Sequence, residues 1–334
     1  MAEAVWFAAP RRVELRHELT PAVGPRDVRV RAVVSGISAG SELLAYRGEA
    51  PATLEADLPT ATGSFGLPMK FGYASVGSVE EVGAEVERLA AGDLVFVLHP
   101  HQTEYVVPAD VAVRLPDGLP PATGVFAANL ETAVTVVLDA HPRLSEAVLV
   151  IGQGVLGLLI TTLLRRAGAA PIITAEVHEK RRTASITAGA HHALAPGADL
   201  AGRVRELTAG RGADAVIEAT GNPDALQAAI DAVAFAGTIV VASWYGSRVA
   251  TLDLGSAFHR RRIRLVSSQV STLDPRISGR WDRERRTALV TELLCELPLA
   301  GLISHRFPFG DAASAYELLD RASGETLQVV LDYV

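Results

Sequence analysis

Along the first 115 or so residues, apolar positions alternate with polar ones in short stretches that Gly and Pro separate. Residues 27–38 and 73–83 show the alternation most clearly and are rich in valine. A period of two is typical of half-buried strands, and several short strands predict a small barrel-like sheet. Residues 48–70 lack a period, and we predict that they form a long loop, of the kind that often carries function.

From Pro116 onward the pattern changes to continuous apolar stretches that alternate with stretches of helical spacing. Continuous apolar strands separated by helices predict a parallel sheet that is covered on both faces. The predicted strands are residues 147–152, 171–176, 213–220, 237–243 and 263–269, with helices such as 155–168 and 222–234 between them. After Val270 follow an Arg-rich loop, two helices (287–296 and 312–319) and a last strand (326–334), which we expect to return to the first domain.

The length of 334 residues also predicts two domains, since one domain typically has about 100–200 residues. We place a β-rich domain at residues 1–118 and 271–334, and the parallel-sheet domain at 119–270. The composition, 49% hydrophobic and 21% charged, is that of a folded protein with a large core. A net charge of −7 argues against a general binder of nucleic acid or of anionic membranes.

Cysteine use and the length of the apolar runs narrow the class of protein further. Cys295 is the only cysteine, which excludes an internal disulfide and a cysteine-based zinc site, because structural zinc sites take about four Cys or His ligands. No apolar run reaches the ~18 residues that span a membrane, and the first residues lack the layout of a signal peptide. We therefore expect a soluble, cytoplasmic protein.

The run Val148–Gly157, VLVIGQGVLG, ends a predicted strand and opens a helix with three glycines spaced G-x-G-x-x-G. Gly152 permits the tight turn, Gly154 lets the backbone approach a pyrophosphate, and Gly157 lets helix and strand pack closely. The helix N-terminus offers free N–H groups to the phosphates. The run therefore predicts a dinucleotide site, with a chance glycine turn as the alternative. Its residues are Gly152, Gln153, Gly154, Val155, Leu156 and Gly157.

The next predicted strand ends in Glu176, 19 positions after Gly157, where a carboxylate can accept hydrogen bonds from the adenosine ribose. Because a carboxylate repels a 2′-phosphate, Glu176 favours NAD over NADP. Four basic residues that follow form either a solvated helix start or a site that makes NADP usable: His178, Lys180, Arg181 and Arg182. The carboxyl ends of later strands add candidate cofactor contacts, which are Thr220, Gly221, Ser243, Ser268 and Gln269.

The order of these segments resembles the medium-chain dehydrogenase/reductase superfamily over nearly the whole chain. The resemblance is carried by VSGISAGSE (34–42), FGYASVGSVEEVG (71–83), AGDLVFV (91–97), NLETAV (129–134), the glycine run, ADAVIEATG (213–221) and ISHRFPF (303–309). It implies an α/β fold in which an N-terminal GroES-like, β-rich catalytic domain accompanies a Rossmann doubly wound parallel sheet. It also implies a homodimer or homotetramer joined at the edge of the central sheet. Within the superfamily, the chain looks most like the branch typified by bacteriochlorophyllide a dehydrogenase, where Gly-Ile-Ser replaces Gly-Ile-Cys.

The chain departs from zinc-dependent members of the superfamily at their metal-ligand positions. The ligand Cys of those members corresponds here to Ser38 or Ala39, and their Gly-His-Glu segment reads Gly-Tyr-Ala at 72–74. Only the third position, Glu131, is retained. A catalytic zinc needs about three protein ligands, so the resemblance implies a zinc-free member. One alternative stays open, in which His99, His101 and Glu131 form a two-His, one-carboxylate metal set, unless Pro100 interrupts their strand.

Three hydroxyl residues are candidate catalytic groups at the positions that this resemblance identifies. Tyr73 replaces a metal ligand, so its hydroxyl could donate to a developing oxyanion; the alternative is a core tyrosine between two strands. Ser41 corresponds to a small hydroxyl residue that relays protons in alcohol-oxidising relatives, and Ser38 lies nearby. Both serines could instead hydrogen-bond their own turn.

Glu131 and His101 are the remaining candidates, for acid–base work. Glu131 could instead be a structural carboxylate paired with an Arg, and we expect Glu42 to support its loop without taking part in the chemistry.

Hydride transfer also requires stabilisation of the atom that gains charge, which without zinc must come from protein donors or from an activated substrate. We therefore predict an NAD(P)H-dependent, zinc-independent oxidoreductase that reduces a polarised double bond of a medium-sized organic molecule. An activated C=C bond is slightly favoured over C=O. Two alternatives remain, an alcohol dehydrogenase or ketone reductase of the same fold, and a non-catalytic dinucleotide-binding protein.

Overall fold

The computed structural model describes residues 1–56, 58–60, 63–197 and 199–333. Its strands are β1 (Ala2–Ala9), β2 (Arg12–Glu18), β3 (Asp27–Ile37), β4 (Ser75–Val82), β5 (Leu94–Val97), β6 (Glu104–Pro108), β7 (Val113–Arg114), β8 (Val148–Ile151), β9 (Ile172–Ala175), β10 (His192–Leu194), β11 (Ala213–Glu218), β12 (Val233–Val241), β13 (Arg264–Ser267), β14 (Ile303–Pro308) and β15 (Gln328–Asp332). Its α-helices are α1 (Ser41–Arg47), α2 (Pro121–Gly124), α3 (Ala127–Ala140), α4 (Val155–Arg166), α5 (Glu179–Thr187), α6 (Leu200–Leu207), α7 (Ala225–Ala232), α8 (Arg283–Glu296) and α9 (Ala312–Arg321).

The chain divides into two compact units. Unit 1 comprises Met1–Ala128 with Thr291–Val334, and unit 2 comprises Asn129–Val290. We expected the division at residues 118 and 270, so both observed boundaries lie further along the chain. Each boundary falls inside a helix, α3 or α8, whose periodic apolar positions give no signal that one unit ends and the next begins.

Unit 1 is built on a seven-stranded sheet in the order β14-β15-β3-β4-β5-β7, with β6 also paired to β3, and a separate β1-β2 pair. The pairs are antiparallel except β14 with β15. Along β3, Val28 and Val30 are fully buried while Arg31 is exposed, so the alternation that predicted the strand also fills the core. This β-rich unit agrees with the predicted GroES-like domain.

Unit 2 contains a six-stranded parallel sheet in the order β10-β9-β8-β11-β12-β13. Its strands β8 and β9 are buried along their whole length, which explains their continuous apolar sequences. The strand order reverses between β8 and β11, and ligands of such sheets bind at the carboxyl ends of the strands at that switch point. The predicted Rossmann doubly wound sheet is confirmed.

Contrary to our expectation, one helical stretch is long and apolar enough to cross a membrane. Pro121–Ala140 is 20 residues long and, with a hydropathy of 1.3, is apolar enough to cross a membrane by length and composition. However, 61% of that window is buried inside the protein. A core helix of a soluble protein passes the same test, so the stretch is weak evidence for a membrane span.

The predicted long loop at residues 48–70 includes residues 57, 61 and 62, which lie outside the described residues. Among its described residues, Glu55 and Ser64 form an isolated β-bridge with each other, and Met69 forms one with Phe7 of β1. The last predicted strand is β15, and residue 334 at its predicted end also lies outside the described residues.

Candidate active site

The glycine turn between β8 and α4 has the backbone geometry that the G-x-G-x-x-G run predicts. Gly152 has φ of +95°, which L-residues rarely adopt. A Cβ added at Gly157 would lie 2.0 Å from the carbonyl oxygen of Gly152, so helix and turn approach as closely as glycine allows. At Gly154 the nearest atom to an added Cβ is Nη1 of Arg181, at 3.9 Å.

The half-exposed start of helix α4 is the part of the turn that a phosphate can reach. Gly154, Val155 and Leu156 are partly exposed, whereas Gly152 and Gln153 are buried. The first N–H groups of a helix lack partners within it, so this end fits the diphosphate of a dinucleotide.

The Gln153 side chain is fully buried and is bonded within the turn itself. Its side-chain amide donates to the carbonyl of Gly152 at 2.9 Å and accepts from the Thr161 hydroxyl at 3.1 Å. Its backbone N–H donates to Oε2 of Glu176 at 2.8 Å. Gln153 therefore fixes the shape of the turn, and the predicted contact with the cofactor falls to its neighbours in α4.

Glu176 follows β9 and is 6% exposed. Its Oε2 accepts from the N–H of Gln153, and its Oε1 accepts from the N–H of His178 at 3.0 Å. Each carboxylate oxygen has a second lone pair. Glu176 thus ties the glycine turn to the end of β9 and keeps acceptor capacity for a ribose hydroxyl.

The basic residues after Glu176 do not act alike. Arg182 donates to the backbone carbonyls of Glu176 and Val177, at 2.9 and 2.7 Å, and so completes the end of the strand. Arg181 lies beside Gly154, where burial lowers the pKa of its guanidinium and the charge of Glu176 opposes that effect. Of the two, Arg181 is the one placed next to the predicted phosphate site.

At the carboxyl ends of β11 and β12, three predicted cofactor residues lie together. The Ser243 hydroxyl accepts from the N–H of Gly221 at 2.9 Å. Thr220 donates to Oε1 of Glu218 from its N–H at 2.7 Å and from its hydroxyl. Glu218 is fully buried and also accepts from the Tyr245 hydroxyl, whose pKa is raised by burial and by that carboxylate.

Sequence reasoning gave Glu218 no role, although a carboxylate inside the apolar run AVIEA was a signal that could have singled it out. The two other predicted cofactor residues, Ser268 and Gln269, follow β13 and are half-buried and exposed, respectively. The Gln269 side chain is hydrogen-bonded to Ser271 within its own turn.

In unit 1 the structure brings together Tyr73, Ser38 and Ser41. All three are half-buried, and the Tyr73 hydroxyl is hydrogen-bonded by both serines. Burial, followed by the negative charge of Glu42, raises the pKa of Tyr73 to about 12, while the serines act in the opposite direction. The phenol is therefore protonated at neutral pH and can donate a hydrogen bond.

His101 is fully buried, and both of its ring nitrogens are engaged. Nε2 donates to Oε2 of Glu42 at 2.9 Å, and Nδ1 lies 2.7 Å from the Ser35 hydroxyl. His101 was a candidate acid–base group, but this enclosure removes it from contact with a substrate. Tyr316, which sequence reasoning missed, donates to the same Oε2 of Glu42.

His99 is also engaged, so it does not form with His101 the pair of free imidazoles that the two-His metal set requires. Its ring stacks on Tyr105, with centroids 3.7 Å apart, and its Nδ1 lies 2.8 Å from the carbonyl of Pro100. Burial lowers the pKa of His99 to about 3, so the ring is neutral.

Glu131 forms an ion pair with Arg286, which is 3% exposed. Arg286 also donates to the Thr135 hydroxyl at 2.9 Å and to the carbonyl of Val270 at 2.7 Å. The structural alternative for Glu131 therefore describes its contacts better than the acid–base role. Arg286 was missed because it lies in an Arg-rich segment that reads as a solvated surface.

The residues at the zinc-ligand positions do not fit a catalytic zinc. Ser38 and Tyr73 offer neutral hydroxyls, whereas zinc in proteins takes thiolate, imidazole and carboxylate ligands. The one carboxylate, Glu131, is paired with a guanidinium. Across the described part of the chain, no group of three or more His, Cys, Asp or Glu side chains could hold a metal.

Comparison with known proteins identifies relatives that cover nearly the whole chain. Residues 155–283 match the family model described as Zinc-binding dehydrogenase. D-guloside 3-dehydrogenase of Escherichia coli (strain K12) is 28% identical over 327 residues, covering 92% of this chain and 93% of that protein. 2-Desacetyl-2-hydroxyethyl bacteriochlorophyllide A dehydrogenase of Cereibacter sphaeroides is also 28% identical, over 350 residues, covering 99% of this chain and 98% of that protein.

Solved structures show the same fold. A short chain alcohol dehydrogenase from E. coli CFT073, complexed with NADH, superposes with a TM-score of 0.82 at 20% identity, covering 99% of both chains. A zinc-binding dehydrogenase from Sinorhizobium meliloti 1021, bound to NADP, superposes with a TM-score of 0.79 at 22% identity, again covering 99% of both.

Proposed function

Because the chain belongs to the medium-chain dehydrogenase/reductase superfamily and is an oxidoreductase, we propose that it interconverts a hydroxyl and a carbonyl group with NAD(H) and without zinc. The observation that carries this proposal is the protonated Tyr73 hydroxyl, held by Ser38 and Ser41 at a position where zinc-dependent members place a metal ligand. A phenol that donates to the carbonyl oxygen takes over the polarisation that a metal provides.

The chain's own residues supply binding and proton transfer. When bound, the nicotinamide dinucleotide supplies or accepts the hydride. The N–H groups of Gly154, Val155 and Leu156 would bind its diphosphate, and Glu176 would accept from a ribose hydroxyl. In reduction, Tyr73 donates its proton to the substrate oxygen as negative charge develops there. Ser41 donates to the Tyr73 oxygen at that moment and limits the charge that the phenol must carry.

NAD is favoured over NADP because Glu176 is held rigidly by two backbone N–H groups, so a carboxylate cannot move away from an incoming 2′-phosphate. Arg181 lies close enough to the turn to offset part of that repulsion, which keeps NADP as a usable second cofactor.

Reduction of an activated C=C bond is the second candidate, and it was slightly favoured from the sequence. The misfit of the ligand positions to zinc supports it, since an enone delocalises the charge onto its own carbonyl. We place hydroxyl–carbonyl exchange first because the names of both relatives describe dehydrogenases, and Tyr73 can act as a donor in either reaction.

We further propose that the protein is a cytoplasmic homodimer or homotetramer that acts on a small molecule and binds neither nucleic acid nor membrane. The edge strand β13, with Leu265 40% exposed, and the neighbouring Phe235, 68% exposed, supply an apolar edge of the sheet for a second copy. The net charge of −7 supports the absence of a nucleic-acid partner.

The test of this function compares the wild type with Tyr73→Phe on a panel of secondary alcohols, ketones and enones with NAD+, NADH and NADPH. We expect turnover with alcohols or ketones, and a loss of kcat of about 10²–10⁴-fold in Tyr73→Phe with unchanged affinity for the cofactor. Turnover restricted to enones would favour the second candidate. Cofactor binding without turnover on any substrate would favour the non-catalytic alternative.

A further inference from the structure

Glu42 is a carboxylate in the first turn of α1 that is completely enclosed in unit 1. Enclosure of an ionised carboxylate is costly unless hydrogen bonds replace its water. Three donors do so, the backbone N–H of Ser38, the imidazole of His101 and the hydroxyl of Tyr316. The described ion pairs of Glu42 include no Arg or Lys, so these donors carry its stabilisation.

The three donors come from distant parts of the sequence. Ser38 follows β3, His101 lies between β5 and β6, and Tyr316 lies in α9. His101 is 59 positions and Tyr316 is 274 positions from Glu42 along the chain. A single side chain therefore fixes the relative positions of three elements of the unit. The Ser38–Glu42 bond fixes in particular the backbone of the segment that carries Ser38 and Ser41.

His101 fixes the segment that carries Tyr73. Gly72 has φ of +138°, and a Cβ there would lie 2.8 Å from Cδ2 of His101. The backbone next to Tyr73 therefore packs directly against the imidazole. The same ring is bonded to Glu42 on one side and to Ser35 on the other, and Ser35 in turn lies 2.9 Å from the Tyr333 hydroxyl.

The protonation of the ring follows from its partners. Oε2 of Glu42 can only accept when the carboxylate is ionised, so Nε2 carries a hydrogen. In the neutral tautomer Nδ1 then accepts from Ser35, whose oxygen accepts from Tyr333. Each donor from Tyr333 through Ser35 and His101 to Glu42 therefore meets an acceptor, so the imidazole ring has one favoured orientation.

We infer that Glu42 and His101 are positioning residues, which hold the Ser38–Ser41 segment and the Gly72–Tyr73 segment in the register that lets both serines reach the Tyr73 hydroxyl. The inference rests on the proposed function, in which that hydroxyl donates to substrate. Glu42 and His101 touch neither substrate nor cofactor and act through Tyr73.

The experiment uses Glu42→Gln and Tyr316→Phe, with Tyr105→Phe as the matched control. Tyr105 is also buried in unit 1, and its hydroxyl is bonded to Ser75 at 2.9 Å and not to Glu42. We expect kcat to fall about 10²-fold in Glu42→Gln and roughly tenfold in Tyr316→Phe, because small misplacements of a reacting group cost that much. The affinity for NADH should not change. Tyr105→Phe should keep the wild-type kcat even if its melting temperature falls as far as that of Tyr316→Phe.

A second measurement does not depend on turnover. The chain has 6 tyrosines, so ζ-¹³C-tyrosine spectra are simple, and the Tyr73 signal is assigned by its loss in Tyr73→Phe. We expect this signal to shift in Glu42→Gln and Tyr316→Phe and to stay in place in Tyr105→Phe. If Glu42→Gln does not fold, Tyr316→Phe alone decides the outcome.

The inference is overturned if folded Tyr316→Phe keeps both the wild-type kcat and the wild-type Tyr73 signal, or if Tyr105→Phe shows the same losses. If the wild type is active, Tyr73→Phe impairs it and Tyr316→Phe does not, only the positioning role is contradicted. If the wild type is inactive but its Tyr73 signal shifts in Glu42→Gln, the proposed function is contradicted and the positioning role is supported.

Discussion

The buried Arg286 forms an ion pair with the half-buried Glu131, which the sequence resemblance matches to a zinc-ligand position of the superfamily. The guanidinium is held in place by the Thr135 hydroxyl and the carbonyl of Val270 as well. A carboxylate in this setting already has its counter-charge. The pair therefore links the structure of unit 2 to the proposal that the enzyme works without zinc.

Removal of Arg286 should destabilise the protein, because it leaves Glu131 and its neighbours without their partner. We expect Arg286→Met to lower the free energy of unfolding by roughly 2 kcal/mol, measured by urea denaturation. The control is Arg285→Met, at an exposed neighbouring position, which should change it little. Equal stabilities of the two variants would show that the ion pair contributes nothing.

Substitution of Gly157 tests the glycine turn. A Cβ there overlaps the carbonyl oxygen of Gly152 at 2.0 Å, and a backbone atom cannot yield as a side chain can. We expect Gly157→Ala to lose roughly 3 kcal/mol of stability and most of its affinity for NADH, measured by thermal denaturation and fluorescence titration. Gly279→Ala, where no atom lies within 4 Å of the added Cβ, should retain both. Wild-type affinity in Gly157→Ala would rule out this turn as the cofactor site.

Glu176 should set the preference between the two nicotinamide cofactors. Glu176→Gln keeps the shape of the side chain and removes the charge that repels a 2′-phosphate. We expect the affinity for NADPH relative to NADH to rise roughly tenfold, since two like charges at such distances in a partly buried site repel by about 1 kcal/mol or more. Glu179→Gln changes an exposed carboxylate of the same segment and serves as the control. An unchanged ratio in Glu176→Gln would contradict the assignment.

His99 should make the protein less stable in mild acid. Burial holds its pKa at about 3, well below its usual value of 6.5. Between these values the unfolded chain binds a proton that the folded chain excludes, so the free energy of unfolding falls as the pH falls from 6.5 toward 3.

The measurement is the loss of unfolding free energy between pH 7 and pH 5. We expect this loss to be smaller by roughly 2 kcal/mol in His99→Gln than in the wild type. His17→Gln, at an exposed histidine, should behave as the wild type does. Identical pH dependence in all three proteins would mean that folding leaves the pKa of His99 near its usual value of 6.5.

The fold was predictable because its signals are local. Continuous apolar strands such as Val148–Ile151 and the glycines at 152, 154 and 157 each report their own surroundings, and the alternation of strands and helices predicts a parallel sheet. The unit boundaries were placed too early because they fall within α3 and α8, where helical periodicity continues without a break.

The interior of the candidate site was less predictable because its contacts join distant parts of the chain. Nothing near Glu42 in the sequence indicates that Tyr316 bonds to it across 274 positions. His101 looked like an acid–base group because its type suits that chemistry, and only its enclosure shows otherwise. Tyr73, Ser38 and Ser41 were identifiable from the resemblance alone, and the structure shows that they lie together.

The most direct test of the central claim is the turnover of protein that has been stripped of metal. Purified protein is treated with a strong chelator, its metal content is measured by elemental analysis, and kcat is determined with NAD(H) before and after zinc is added back. The account predicts an unchanged kcat in metal-free protein and no gain from zinc, with activity that still depends on Tyr73. Loss of activity on chelation that one equivalent of zinc per chain restores would contradict it.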